Sequence, residues 1–427
     1  MDQNIIRLSC KANNYHWGKI GRDSKVAEYA SADPRFILDP HKNYSELWMG
    51  THSNGPSVLF DDPSMSLKTL ISQSPEDMLS QPVAGKYGKE LPFLFKVLSI
   101  NKALSIQAHP HKSLAEKLHH LHPNIYKDPN HKPEMAIALT PFEAMSGFRP
   151  LDEIAQHLIQ YPEFAALVGE SATKEFIDIA ENGSMHDIAA KKAILRKVFE
   201  RLMTRSPEEV VKQTDQLLAR FPRSKCTEKG SIHELIHRLN DEYPYDLGVF
   251  CLFMLNLIHM QPGDALYMGA DDPHAYISGD CVECMATSDN VVRAGLTPKL
   301  RDVPVLVDML TYDFGSPDAK IMKGAAYSTS ETTKIYDPPI EEFTVLNTKL
   351  GPQQCEHFDA RMGPTILIVT NGKGSISAGS GSPLDQDIPL ESGHVVFIKA
   401  NTSYKLCIAD DSSSDGVFET YAAFCTL

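Results

Sequence analysis

The stretch Leu104-Ser105-Ile106-Gln107-Ala108-His109-Pro110, with His131-Lys132-Pro133-Glu134 after it, holds the residue types most able to do chemistry. Ser105, Gln107 and His109 alternate with Leu104, Ile106 and Ala108. Period-two alternation marks a strand with one polar and one apolar face, so the three polar side chains share a side. Such a row can line a cavity and hold a cation; it can equally be a solvated strand face. Two further residues match the first reading. Glu134 follows Pro133, and His274 follows Asp271-Asp272-Pro273, each where a turn should open into a strand. Zinc takes imidazole nitrogen and carboxylate oxygen, and a catalytic zinc keeps one position open. Gln107, His109, Glu134 and His274 are therefore candidate ligands. One carboxylate among neutral donors would leave part of the ion's charge free to polarise a substrate oxygen. Spacing alone carries little weight, because the pieces lie far apart in the chain.

Other chemistry-bearing types follow. Asp280-Cys281-Val282-Glu283-Cys284 and Asn290-Val291-Val292-Arg293, running on to Lys299, supply acids and cations soon after His274. Either stretch alone also reads as a polar loop with surface charges. Pro92-Phe93-Leu94-Phe95-Lys96-Val97-Leu98-Ser99 reads as a buried strand with one lysine inside it. Burying Lys96 is costly unless it meets an anion, either a protein carboxylate or a phosphate. The two tryptophans, Trp17 and Trp48, lie beside glycine-containing turns, and each suits either packing or the wall of a sugar site.

These groups need a large frame, and the chain is long enough for two or three domains at 427 residues. Lys plus Arg number 41 against 55 Asp plus Glu, a net charge of −14 that argues against nucleic acid as the main partner. No apolar run reaches membrane-spanning length, and Met1-Asp2-Gln3-Asn4 does not resemble a basic leader, so a cytoplasmic protein is expected. Eight scattered cysteines then predict free thiols. Cys281 and Cys284 form a C-x-x-C without the second pair a zinc ribbon needs, and are expected to be ordinary thiols.

Residues 1–60 read as short strands and turns, and 113–122 as a helix for which Ser113 is a plausible cap. Its histidine-rich end suits a helix C-terminus better than a metal site. Over 151–258 the period changes to that of helices. Leu151, Ile154 and Leu158 form one stripe; Ile188, Ile194, Leu195, Val198 and Leu202 form another. Ser206-Pro207-Glu208-Glu209 is a capping box with proline at the first helical position. Strand patterns return from Met260 to the end. Pro262–Ala270 runs parallel to Ser392–Ala400, with Gly263 on Gly393 and, further on, His274 on Tyr404. That repeat resembles half a cupin-type jelly roll. It predicts a mainly β protein with two cupin-type jelly-roll barrels and an α-helical insertion. The expected division is 1–150 with 259–335 as the metal-bearing barrel, 151–258 as the helical domain, and 336–427 as a second barrel without metal.

Gln107-Ala108-His109-Pro110, His131-Lys132-Pro133-Glu134-Met135, Pro273-His274-Ala275-Tyr276 and Asn290 through Lys299 closely resemble the type I mannose-6-phosphate isomerase family. Tyr44 through His52 and Gly279 through Cys284 match it too, and the resemblance covers nearly the whole chain. It implies an aldose-ketose isomerase that interconverts mannose 6-phosphate and fructose 6-phosphate with one zinc ion, on the way to GDP-mannose and in mannose catabolism. Carried over, the zinc ligands are Gln107, His109, Glu134 and His274. Arg293, Glu283 and Lys132 become the catalytic groups, and Lys96, Ser105, Lys299, Tyr276 and Trp17 the substrate contacts. A monomer is expected. Three rival classes are a cupin oxygenase with iron, a non-catalytic sugar-phosphate binder, and a structural metal site. The first calls for more histidine ligands, the second needs no Glu283, and the third favours cysteine.

Overall fold

Thirteen residues, His274–Ala286, form the strand on which the first barrel turns. In the computed structural model, residues 3–184, 187–226, 228–379, 387–409 and 416–427 are described. The first half of this strand pairs with Phe142–Phe148, and His274 faces Gln107. The second half pairs with Phe93–Ile100 on one side and Glu134–Ala138 on the other. The change of partner falls at Gly279, whose φ of +117° belongs to glycine; a Cβ there would meet the Pro141 carbonyl at 2.7 Å. A register shift beside this point reverses the alternation. Tyr276 lies inside the barrel before it, and Cys281 lies inside after it.

The sheet beyond the turn is buried on both faces, so its strands read as nearly continuous apolar runs. Every residue of Phe93–Ile100 is buried. Leu98 and Ile100 line the barrel interior with Ala136, Ala138 and Leu266. Phe95, Val97, Val282 and Cys284 face outward and pack on Val345, Ile366, Ile368 and Phe397 of the second barrel. Alternation therefore sends Lys96 inward with Leu98.

Six helices between Leu151 and Glu242 form a separate layer around Leu158, Phe164, Phe176, Leu195, Val198 and Leu217. Ser206 and Glu209 make the reciprocal capping box expected of them, ahead of the helix Pro207–Arg220. Ile194, Leu195, Val198 and Leu202 are buried, but Ile188 at the start of that stripe is exposed. It sits at the first helical residue, where no neighbouring helix covers it. The helix near 113–122 runs Lys112–Leu121 with His111 at its N-cap, so Ser113 is inside it and caps nothing. The helical core also takes up Ile106, Ala108, Val292 and Ala294, which ties it to the strands carrying Gln107 and Arg293.

The second barrel packs an eight-stranded sheet against a four-stranded one. Its large sheet includes Ile5–Ser9, paired with Val395–Ile398. The chain thus starts in the sheet where it ends, although its first 150 residues read as one unit in sequence. The repeat reappears in the pairing. Glu134 pairs with Met268 as Thr365 pairs with Ile398, and Gln107 pairs with His274 as Phe358 pairs with Tyr404. The second interior is apolar, and the Phe358 and Tyr404 rings stack with centroids 4.7 Å apart.

The cysteines are not all free. Cys355 and Cys407 stand opposite each other on neighbouring antiparallel strands and form a disulfide, with Cα atoms 4.1 Å apart. Cross-strand neighbours lie that close in space whatever their separation in sequence, here 52 residues, which hides the pair from spacing. Cys281 and Cys284 are free and buried. No helix among the described residues is long and apolar enough to cross a membrane.

Candidate metal centre and adjoining pocket

His109, Glu134 and His274 meet where three strands converge. Each offers an atom within 4.8 Å of the others, and all three residues are buried. Glu134 Oε2 lies 3.4 Å from Nε2 of both His109 and His274. None of these three buried atoms has a hydrogen-bond partner. Leaving such groups unpaired costs roughly 1–3 kcal/mol each, so the arrangement calls for something at their centre. The rest of each side chain is already engaged. Nδ1 of His109 faces the Asn290 carbonyl at 2.7 Å, and Nδ1 of His274 faces the Asp272 carbonyl at 3.0 Å. A ring that donates from Nδ1 presents a bare lone pair at Nε2, the form that binds a metal. Burial lowers the His109 pKa to about 4, against the pull of the Glu134 carboxylate. Burial raises the Glu134 pKa, but the Lys132 ammonium and then His109 more than offset this and hold it well below the usual range. Neutral imidazoles and an ionised carboxylate suit a divalent ion of the zinc type. Gln107 stands beside the group, opposite both His274 and Arg293 in the ladder, and its Oε1 accepts a 3.3 Å bond from Ser105.

A cavity of about 350 Å³ adjoins these residues. Lys96, Ser105, Gln107, Lys132, Glu134, Tyr276, Glu283, Arg293 and Lys299 all line it, with Trp17 on one wall. His109 and His274 lie behind that lining. Lys132 Nζ contacts Glu134 Oε1 at 2.9 Å. Glu283 is held from both sides: Tyr276 donates to its Oε1 at 2.9 Å and Lys96 to its Oε2 at 3.0 Å. Burial pushes the Glu283 pKa up; Lys96 pulls it back, and Glu134 adds to the rise. The Lys96 pKa moves the other way from its burial, because Glu283 and Glu46 outweigh desolvation. Arg293 is half-buried, its pKa is lowered by burial alone, and it has no carboxylate partner among the described residues. Lys299 is exposed at the rim.

The two tryptophans separate. Trp17 faces the cavity, with the Tyr15 ring stacked 6.0 Å away. Trp48 is packing: it is buried with Leu94 and Met285 and donates its indole N–H to Glu46. Lys96, open in sequence to a carboxylate or a phosphate, is paired with carboxylates. Glu46 and Tyr243 are among the lining residues that the sequence did not single out. Glu46 lies 3.5 Å from Lys96 and lines the cavity; the apolar neighbours of its strand hide one inward-facing acid. Tyr243 reaches the cavity from the helical domain, and nothing in its local sequence marks it.

Comparison with known proteins adds a consistent set of relatives. Residues 5–151 match phosphomannose isomerase type I, catalytic domain; 167–255 match the helical insertion domain of that type, and 334–381 its C-terminal part. The mannose-6-phosphate isomerases of Candida albicans and Saccharomyces cerevisiae are each 44% identical, covering 99% of this chain and 99% of theirs. A mannose 6-phosphate isomerase from Salmonella typhimurium, solved bound to its substrate and a zinc atom, superposes with a TM-score of 0.82 at 28% identity, over all of both chains.

The orphaned atoms predict uptake of a single divalent ion per chain, measured by equilibrium dialysis against zinc. Glu134→Ala should weaken that uptake by about a hundredfold or more. Undiminished uptake would show that the ion sits elsewhere.

Proposed function

Because this chain belongs to the type I phosphomannose isomerase family and is an isomerase, we propose that it interconverts D-mannose 6-phosphate and D-fructose 6-phosphate by proton transfer through a cis-enediol. The observation that carries this reading is a buried carboxylate with a raised pKa, Glu283, placed on the same cavity as Glu134 of the His109–Glu134–His274 group, whose spacing suits a metal ion. Aldose-ketose isomerisation needs a base at C1 and C2, an electrophile for the neighbouring oxygens, and a hold on the phosphate. Zinc, held by His109, Glu134, His274 and Gln107, supplies Lewis-acid polarisation of the substrate oxygens when bound.

Glu283 moves the proton. Its lifted pKa suits a base working near neutral pH, and Tyr276 and Lys96 fix the direction of its two oxygens. Arg293, with no carboxylate partner among the described residues, and Lys132 offset the negative charge that develops on the enediolate. Lys96 is already shared by Glu46 and Glu283, so the phosphate falls to Ser105 and Lys299. Trp17 presents an apolar face to the sugar. The second barrel binds no metal in this reading, since Phe358, Thr365 and Tyr404 stand where the first has Gln107, Glu134 and His274. The chain works as a cytoplasmic monomer on a sugar phosphate, with no nucleic-acid partner, and feeds GDP-mannose synthesis and mannose catabolism.

Glu283→Gln should cut turnover about a thousandfold while zinc content is unchanged; near-normal turnover would remove Glu283 as the base. The pH profile gives a second test. A base must be unprotonated, so kcat/KM falls as pH drops through the Glu283 pKa. Lys96 is the main group holding that pKa down. Lys96→Met should therefore move the acid limb roughly one unit toward higher pH, apart from any loss of rate. An unmoved limb would assign it to another group.

A further inference from the structure

The helical domain reaches the lining of the substrate pocket through Tyr243. Its helix Ile232–Glu242 runs into Tyr243 and returns to the barrel through Asp246 and the tight turn Leu247–Phe253. Within these few residues it grips the ends of two neighbouring strands beside the pocket. Glu242 accepts the Ala103 N–H at 2.9 Å, and the Tyr243 hydroxyl donates to the Ala103 carbonyl at 2.6 Å. Both backbone groups of Ala103 are thus held, just ahead of Ser105. Asp246 holds the neighbouring chain, which runs on from Gly295, the pairing partner of Ile106. Its Oδ1 accepts from the N–H of Gly248 and of Leu296, both at 2.7 Å, and its Oδ2 accepts from Thr297 N–H at 3.1 Å.

The Leu296 edge needs such a hold. Leu296 has φ of +52°, a left-handed conformation that costs a side-chain-bearing residue roughly 1–2 kcal/mol. The chains meet here backbone to backbone. A Cβ on Gly248 would lie 2.6 Å from Leu296 N, and one on Gly295 would lie 2.6 Å from Gly248 Cα. Thr297, Pro298 and Lys299 follow directly and line the cavity; Arg293 precedes by three residues on the same strand. A layer that served only to cover the barrel would need apolar contact alone. One carboxylate collecting three backbone N–H groups fixes a conformation.

We propose that Asp246 is a positioning residue for substrate binding: it locks the helical domain to the Leu296–Lys299 rim and so sets where that rim meets the phosphate end of the substrate. The inference rests on the assignment of the phosphate to Lys299.

The test uses full-length, zinc-loaded protein. Asp246→Asn keeps the shape but turns an amide NH2 toward a backbone N–H. It should raise KM for mannose 6-phosphate about tenfold and weaken competition by inorganic phosphate to match, with kcat changed less than about threefold. Gly248→Ala, which forces the same two backbones apart, should reproduce that split if Asp246→Asn folds poorly. Lys299→Ala alone should also raise KM. Adding Asp246→Asn to it should cost less than the product of the two effects, since both act through one rim. Unchanged KM in Asp246→Asn and Gly248→Ala, or a loss confined to kcat, would overturn the inference. Fully multiplicative effects in the double variant would overturn it too. A normal KM in Lys299→Ala would instead refute the phosphate assignment, and phosphate competition in Asp246→Asn would then decide the role of Asp246 alone.

Discussion

Three buried polar atoms without a partner, on His109, Glu134 and His274, set the terms for the rest of this protein. Burying them unpaired is unfavourable, and bringing a carboxylate against two imidazoles inside a barrel is justified only by a cation between them. Everything near them supports that one demand. Asn290 and Asp272 carbonyls fix the imidazole rings, and Lys132 keeps the carboxylate ionised. Three converging strands give the ligands a rigid mounting, and a site built on strands holds its geometry better than one built on loops.

A second buried charge group lies on the same cavity and obeys the same rule. Lys96, between Glu46 and Glu283, is one buried cation shared by two acids. Burial lifts the Glu283 pKa most, with Glu134 and then Glu46 adding to the rise, and that direction suits the proton transfer proposed for it. The bend at Gly279 lets one strand deliver both His274 to the metal-ligating group and Glu283 to the cavity, with Tyr276 reaching across the bend to Glu283. A straight strand would place Tyr276 and Glu283 on opposite faces.

Much of this was legible in the sequence, for physical reasons. The alternation around Gln107 survives because one face meets the cavity and the other, Ile106 and Ala108, meets the helical core. Proline-led turns mark the strand starts at Glu134 and His274. The capping box at Ser206 is local chemistry and needs no tertiary context. What was not legible depends on distant partners or on broken periodicity. The bulge beside Gly279 reverses the inward face, which a count of twos does not reveal. Ile5–Ser9 joins the far barrel because its partner strand lies almost at the other end of the chain. Cys355 meets Cys407 through strand register, and Glu46 and Asp246 find their partners only in what folds against them.

The most direct measurement is a coupled assay for fructose 6-phosphate formed from mannose 6-phosphate, run on the native protein, after chelation, and after zinc is restored. Activity should disappear with the metal and return with zinc. Full activity in protein verified to be metal-free would contradict the central role of the cation, and zinc-loaded protein with no activity would contradict the proposed reaction.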